Sequence, residues 1–404
     1  MKKIRLMYLI AFIQGIYIYI MRVMLQPFVL SISNSMPFVG FIDGLTNSVI
    51  PSLVQLPGGW IADRIGRKKP MIFGSILIIL GFNMYTLAVL TKSTFFIISG
   101  AIFIGLGTIG LPARDSFVAE SVGKSKRVMA FNMLAFFMVV PGVASSMFGG
   151  KIADKFGYGT IFMMNIFLEA VCLIIFIFYV KESLLKSEYK IILIKNMKSV
   201  LKNVFKIPRH LAIFYFILAI DAFFWGVGYR IIFGLLRDKY ALSHTQIGIL
   251  GSVFTASWAV FQIPIGKYMM QRSCKLSLIV SEIVGCVGLL GIILFKDFYL
   301  LLISQIFLGL MPAFWIPATR TLISNSVVQN KRAEALGRFV FFNGLTGFLG
   351  PIVGGFLYQV YGLSLPLIIN IIGGFLLAFA IIFFIHETKD KALSTQLLLS
   401  KIEK

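Results

Sequence analysis

Long apolar runs separated by short polar connections dominate the chain. A helix needs about 20 apolar residues to cross a hydrocarbon core about 30 Å thick, because it rises about 1.5 Å per residue. Twelve such runs can be placed, near 6–30, 37–59, 70–90, 94–119, 128–150, 158–180, 210–236, 245–266, 276–295, 298–322, 335–357 and 363–386. The pattern predicts an all-α membrane protein with twelve transmembrane helices, here called spans 1 to 12, six in each half.

A short motif recurs at the ends of four of these spans. Aligned on one glycine, its copies begin at Gly59, Gly150, Gly266 and Gly355. The halves are offset by 207 residues, since Gln55 and Pro57 recur as Gln262 and Pro264. Each half is itself a repeat. We therefore expect an N-terminal bundle over 1–180, a cytoplasmic linker over 181–209, a C-terminal bundle over 210–388 and a tail over 389–404.

Composition and charge agree with a membrane protein. Hydrophobic residues make up 58% of the chain and charged residues 13%, whereas about a quarter of a soluble domain is charged. A net charge of +22 would suggest nucleic acid in a soluble protein, but most lysines and arginines outside the spans fall on the side of the N-terminus. This positive-inside bias predicts cytoplasmic termini and no nucleic-acid partner. The three cysteines show no metal-ligand spacing, so we expect no metal and no cofactor.

The one long connection, 181–209, has apolar residues at helical spacing and lysines on its other faces. This pattern is typical of a basic amphipathic helix that lies on anionic membrane lipids. We interpret it as a tether that fixes the orientation of the chain, with a regulatory role as the alternative. The other connections are short, which leaves no room for a soluble domain.

The first copy of the motif carries a resemblance to a known family. Between spans 2 and 3 the chain reads Gly-x-x-x-Asp-Arg-x-Gly-Arg-Lys, with Gly59, Asp63, Arg64, Gly66, Arg67 and Lys68 at the defined positions. With its duplication and number of spans, the chain resembles the major facilitator superfamily over nearly its whole length. The resemblance implies two pseudo-symmetric six-helix bundles, a cavity lined mainly by spans 1, 4, 7 and 10, and a small-molecule substrate bound near the midplane. We expect a monomer.

Span 11 contains a glycine-rich element that resembles one found in exporters of this superfamily. Its residues are Gly347, Gly350, Pro351, Gly354 and Gly355. Those exporters usually carry the element in span 5, and the proton-coupled drug exporters carry an arginine in span 4 where this chain has Ala101. Small residues at such spacing let helices approach closely in lipid, so we expect these five residues to serve helix packing.

Charged residues within the spans are candidate sites, because each costs a few kcal/mol at the bilayer centre unless it is paired or hydrated. Arg22 and Asp43 lie at similar depth on spans 1 and 2, which predicts an ion pair between them. Glu169 and Glu282 fall on spans 6 and 9, which in the family are outer supporting helices. We expect these two acids to be paired locally or to extend their carboxyl groups towards the membrane surface.

Asp221 lies near the middle of span 7, and its repeat partner is Gln14 in span 1. We expect both to face the central cavity. The full candidate cavity set is Gln14, Tyr17, Arg22, Asp221, Trp225, Arg230 and Trp315. An acid among aromatic rings suits a lipophilic cation, and a buried acid suits a coupling proton, whereas the arginines leave an organic anion open. The structural alternative is that Asp221 pairs permanently with Arg22 or Arg230.

The candidate cytoplasmic gate comprises Gly59, Asp63, Arg64, Gly66, Arg67 and Glu120. The second half has Cys274 and Asn325 where the first has Arg67 and Glu120. Joint loss is typical of an ion pair, because a lone buried charge is costly. We therefore expect Arg67 to pair with Glu120, and Asp63 to cap the cytoplasmic N-terminus of span 11, where the helix dipole favours a negative charge.

These patterns predict a secondary active transporter in a prokaryotic cell membrane, exporting small amphipathic organic compounds in exchange for protons. The alternative within transport is an importer of a nutrient or organic anion on the same scaffold. We expect no enzyme, because the three histidines lie at span ends without a convergent catalytic set. A sensor that does not transport would need a soluble domain, for which the connections leave no room.

Overall fold

The computed structural model describes residues 2–123, 126–183, 207, 209–271, 273–327 and 332–385. Nearly all of these residues are helical. The expected linker helix within 181–209 and the expected tail over 389–404 fall outside the described residues, apart from 181–183, 207 and 209. We use "cytoplasmic" and "external" for the two faces of the molecule in the sense that the charge bias predicts.

The helices follow the predicted spans. Their bounds, in span order, are Lys2–Ser33, Met36–Gly44 with Ile50–Ile65, Lys68–Thr91, Thr94–Gly107 with Leu111–Glu120, Arg127–Ile174 for spans 5 and 6 together, Arg209–Val227 with Ile232–Tyr240, His244–Gln271, Cys274–Leu294, Phe298–Asn325, Arg332–Tyr361 and Ser364–Phe384.

The number of spans agrees with the prediction. Ten of the described helices are long and apolar enough to cross a membrane. One of these, Met129–Tyr179, contains two predicted spans, which Gly157 separates with its non-helical φ of 77°. Span 2 is not among the ten; it is helical as Met36–Gly44 and Ile50–Ile65, joined by a π-helical turn at Leu45–Val49. The twelve predicted spans are therefore all accounted for by helix.

The recurring motif has a structural counterpart in how its helices end. Gly66, Gly157 and Gly362 adopt positive φ values of 97°, 77° and 79°, and each stands seven residues after the aligned glycine of a motif copy. Glycine is favoured there because the left-handed region that ends a helix strains other residues. The fourth copy has Ser273 at this place, and its hydroxyl caps the next helix by accepting from the Leu276 N–H.

The glycine-rich element of span 11 packs against spans 2 and 7. A Cβ added to Gly354 would collide with the Val227 carbonyl, and one added to Gly350 with the Phe223 carbonyl. On the span 2 side, the carbonyl of Pro351 leaves no room for a side chain at Gly40. Backbone contact this close needs glycine, and it is the contact that the sequence predicted for this element.

The two halves meet at the external end of the molecule. A Cβ on Gly150 would collide with the His244 carbonyl of the other half, and one on Gly355 with the Met36 carbonyl. The cytoplasmic motif glycines have no such cross-half neighbour: a Cβ on Gly59 meets only Pro112 of its own half, at 3.6 Å, and Gly266 has nothing described within 4 Å. The structure is therefore closed at the external motif ends. Nearer the cytoplasmic face the halves still touch, since a Cβ on Gly337 of span 11 would lie 3.5 Å from the Leu56 side chain of span 2.

Candidate functional site

Asp221 is buried within the C-terminal bundle. Its residue is 6% exposed, and its Oδ1 has no hydrogen-bond partner among the described groups. The carboxyl group lies within interaction distance of Glu282 on span 9 and of the Trp315 indole on span 10. Neither Arg22 nor Arg230 pairs with it, so the expected structural alternative for Asp221 is not what the structure contains.

Glu282 is the partner that the sequence did not assign to Asp221. It is 1% exposed, and the Trp225 indole N–H donates to its Oε2 at 2.8 Å. On span 12, Gly374 lies beside the same oxygen: a Cβ there would be 3.6 Å from it, an ordinary contact, but would collide with the Cys286 sulfur at 2.6 Å. Spans 7, 9 and 12 thus enclose two carboxyl groups, and their described partners are each other and two indoles.

The N-terminal bundle contains a related but different arrangement. Gln14 and Ser75 stand 207 residues before Asp221 and Glu282, and both donate to Glu169, which is fully buried on span 6. The distances to Glu169 oxygens are 3.3 Å from Gln14 Nε2 and 2.5 Å from Ser75 Oγ. Here one carboxyl group is surrounded by neutral donors, including the neighbouring Tyr17.

These contacts correct part of the predicted cavity set. Gln14, Tyr17, Asp221 and Trp225 are buried inside their own bundles, so Gln14 and Asp221 do not face each other across the central cavity as the sequence predicted. The reason is that a buried carboxyl group needs hydrogen-bond donors. Gln14 and Tyr17 are bonded to Glu169, and Trp225 is bonded to Glu282, so these side chains point into the bundle interior. Trp315 is partly exposed, and its ring lies 6.0 Å from that of Phe339.

The predicted ion pair between Arg22 and Asp43 is also wrong. Asp43 pairs instead with Arg230 of the other half, at 3.1 Å between Oδ2 and Nη2, and Arg230 also donates to the Ser48 hydroxyl. Arg22 donates to the Tyr229 hydroxyl at 2.9 Å and lies 4.2 Å from the centre of the Phe254 ring. The prediction used only the depth of Arg22 and Asp43 in the membrane. The rotation of each helix about its axis instead points both side chains at the opposite half.

The gate residues of the first motif copy form a cluster on the cytoplasmic face. Arg67 pairs with Glu120, at 2.9 Å between Nη2 and Oε1, and with Asp63, at 2.5 Å between Nη1 and Oδ1. The pair with Glu120 is the one that the sequence predicted. Glu182 was not foreseen; its carboxylate accepts from the backbone N–H groups of Arg67 and Lys68, at 2.8 and 3.1 Å.

Glycine at position 66 leaves room for Glu182, because a Cβ there would collide with its carboxylate. Arg64 points elsewhere, with its guanidinium 3.8 Å from the centre of the Trp60 ring. The expected cap by Asp63 on span 11 stays a prediction, because residues 328–331, which precede that helix, lie outside the described part of the chain.

Comparison with known proteins adds independent information. The model of the family described as Major Facilitator Superfamily matches residues 7–236 and 211–398. An uncharacterized transporter of Buchnera aphidicola is 24% identical over 52% of this chain and 49% of its own length, so the chain matches about half of that relative. The multidrug resistance protein MdtG of Salmonella paratyphi B is 22% identical over 75% of this chain and 74% of its own.

Solved structures share the fold. A crystal structure of a D-xylose-proton symporter superposes with a TM-score of 0.76 over 96% of this chain and 99% of that one, at 16% identity.

Proposed function

The chain belongs to the major facilitator superfamily of transporters, and on that premise we propose that it exports small amphipathic organic compounds in exchange for protons. One observation carries the proposal: the buried carboxyl pair of Asp221 and Glu282 in the C-terminal bundle. Two carboxyl groups in contact and out of water cannot both be ionised, so such a pair retains a proton. A proton site within a moving bundle is the element that proton-linked transport requires.

Coupling follows if the pair gives up its proton in only one of the two states of the transporter. Alternating access changes which face can reach the bundle interior. A substrate that binds better to one protonation state shifts the protonation equilibrium by that difference in affinity. Each acid lies beside one indole, and we assign Asp221 as the carrier because its Oδ1 has no described hydrogen-bond partner.

The substrate class is inferred from the same residues. Trp315, which is partly exposed and lies beside the acid pair, suits a lipophilic cation, because an aromatic face attracts a cation. The similarity to a protein named for multidrug resistance supports efflux as the direction. The second candidate is uptake of an organic anion, which Arg22 favours: its described contacts are a hydroxyl and an aromatic ring rather than a carboxylate.

We further propose a prokaryotic cell membrane as its location, with both termini in the cytoplasm. The positive-inside bias supports this orientation. A cysteine placed in 181–209 should then resist an impermeant thiol reagent in intact cells, and ready labelling from outside would overturn the orientation. Substrate, coupling proton and surrounding lipids are the partners we expect, and the working unit is a monomer.

Everted membrane vesicles test the proposal. In vesicles acidified by respiration, a transported lipophilic cation should release the quenching of a ΔpH-sensitive dye, because each transport event lets a proton leave. Vesicles from cells without the protein give the baseline. If cations give no release, vesicles preloaded with an organic anion should lose that anion together with lumenal protons under the second candidate, and neither response would refute both.

A further inference from the structure

The second copy of the motif lies at the external end of span 5, and the transport proposal does not use it. Residues 150–157 repeat residues 59–66 with the glycines, isoleucine, alanine and aspartate in place, so Asp154 and Gly157 stand where Asp63 and Gly66 stand in the first copy. Both aspartates are followed three residues later by a glycine with positive φ. The motif is therefore present once on each face of the N-terminal half.

The Asp154 carboxylate contacts the first residues of span 8, which belongs to the other half. Its Oδ1 accepts from the backbone N–H and the Nδ1 of His244, at 3.0 and 2.6 Å. Its Oδ2 accepts from the backbone N–H and the hydroxyl of Thr245, both at 2.7 Å. The first N–H groups of a helix lack partners within it and carry partial positive charge. Asp154 thus caps a helix of the opposite half.

Its own helix does not explain an aspartate at this position. Asp154 is three residues before the glycine that ends the span 5 helix, and a negative charge near a helix C-terminus is unfavourable. Lys151 and Lys155 on the same turn lie over the rings of Phe148 and Phe156. The groups that donate hydrogen bonds to the carboxylate come from span 8.

The surrounding contacts make this a closed junction. Gly150 allows the His244 carbonyl to touch the span 5 backbone, and a Cβ on Gly248 would collide with the Ser146 carbonyl. His244 also shares a hydrogen bond of 2.7 Å with the Tyr158 hydroxyl. Ser146 is fully buried in the interface between spans 5 and 8.

We propose that Asp154 is a gating residue of the transport cycle, which holds the external side closed by capping span 8 and releases that helix when the external side opens. In this cycle Asp63 acts in the same way at the cytoplasmic face. The two aspartates engage in alternation, and in the present structure Asp154 is engaged while Asp63 bonds Arg67 of its own half. The proposal depends on separation of the two halves, and on neither the coupling ion nor the direction of transport.

The charge of Asp154 persists over the working pH range. Partial burial alone would raise the pKa of Asp154, but the hydrogen bonds from Thr245 and His244 lower that pKa to about 2. The other ionisable groups near the junction are Tyr158, Lys151, Lys155 and Arg237, whose guanidinium donates to the Leu242 carbonyl. His244 places its Nδ1 against Asp154 and its Nε2 against the Tyr158 hydroxyl.

Thiol labelling measures how often this junction opens. A cysteine replaces Ser146, which it matches in size, in the full-length chain with its three native cysteines changed to serine. An impermeant maleimide added from outside then reacts in proportion to the population of the externally open state. Asp154→Asn should raise the labelling rate about tenfold or more, which corresponds to about 1.4 kcal/mol, because an amide nitrogen replaces one acceptor oxygen and the charge is lost.

Asp297→Asn is the matched control. Asp297 also caps a helix on the external face, accepting from the N–H groups of Tyr299 and Leu300, but that helix belongs to its own half. The control should lower stability without raising the labelling rate. Thr245→Val, which removes one hydrogen bond and no charge, should give a smaller rise than Asp154→Asn.

A second readout does not depend on access to one buried site. Spin labels at positions 91 and 296, both exposed near the external face, report the separation of the two halves as a distance. Asp154→Asn should shift the population towards the longer distance. Unchanged distances with an unchanged labelling rate, or equal changes in Asp297→Asn, would overturn the gating role.

Discussion

Replacing Asp221 with asparagine should uncouple transport from the proton gradient. The substitution keeps the size of the side chain and removes the group that shares a proton with Glu282. Glu282 then keeps its Trp225 donor, at 2.8 Å, and gains a neutral amide as neighbour. The bundle should therefore fold, and substrate should still bind and exchange, while the proton that alternates between the two states is lost.

The structure sets the size of the effect. A pair that retains one proton can release one per cycle, so the exchange of one proton for one monovalent cation is electroneutral. A ΔpH of one unit, worth about 1.4 kcal/mol, then supports an accumulation of about tenfold. If both carboxyl groups released a proton in each cycle, the same ΔpH alone would support an accumulation of about a hundredfold. Asp221→Asn should reduce the ratio to about one.

Proteoliposomes with an imposed ΔpH and a lipophilic monocation that the unmodified protein transports provide the assay. Glu169→Gln is the control, because Glu169 is equally buried but contacts Gln14 and Ser75 rather than a second acid. Its accumulation ratio should stay near tenfold. If Asp221→Asn still accumulates the cation with the same dependence on ΔpH, the assignment of the carrier is wrong.

Three further predictions follow from other contacts. Replacing Arg67 and Glu120 with alanine, singly and together, should give a coupling energy of about 0.5 to 3 kcal/mol in thermal unfolding, because the pair is 2.9 Å apart and Arg67 is buried. Gln14→Leu should lower stability by about 1 to 3 kcal/mol, measured as a lower midpoint of unfolding, since the buried Glu169 loses a donor. The distance distribution between spin labels at positions 91 and 296 should be constant above about pH 4 and shift to longer distances only in stronger acid: the pKa of Asp154 is lowered to about 2, so the stabilisation by the cap is complete above the ordinary Asp pKa of about 4 and is lost as the pH falls through about 2.

The sequence was sufficient for the architecture because hydropathy and repetition are properties of a single chain. Twelve spans, the duplicated half and the close packing of the span 11 glycines all follow from spacing, and the family match agrees with them. The Arg67 pair was also found, because its two members are absent together from the second half. A repeat therefore reveals a contact when both of its members are lost together.

The buried partners could not be derived in the same way. Position along a span fixes the depth of a side chain, but its direction depends on how the helix is rotated in the bundle. Asp43 and Arg22 share a depth, and the structure nevertheless pairs Asp43 with Arg230. The acid pair was missed for the same reason. The 207-residue offset aligns Asp221 with Gln14 and Glu282 with Ser75. Gln14 and Ser75 both contact Glu169, so their counterparts in the second half also lie close together.

The most direct test of the account is to follow protons and substrate together in one preparation. Purified protein is reconstituted into liposomes that contain a pH indicator, and a gradient of a transported lipophilic cation is imposed without a pH gradient. The account predicts that cation movement in one direction drives proton movement in the other, one proton for each cation, and that Asp221→Asn abolishes the proton flux while cation exchange continues. Cation transport without proton movement in the unmodified protein would contradict it.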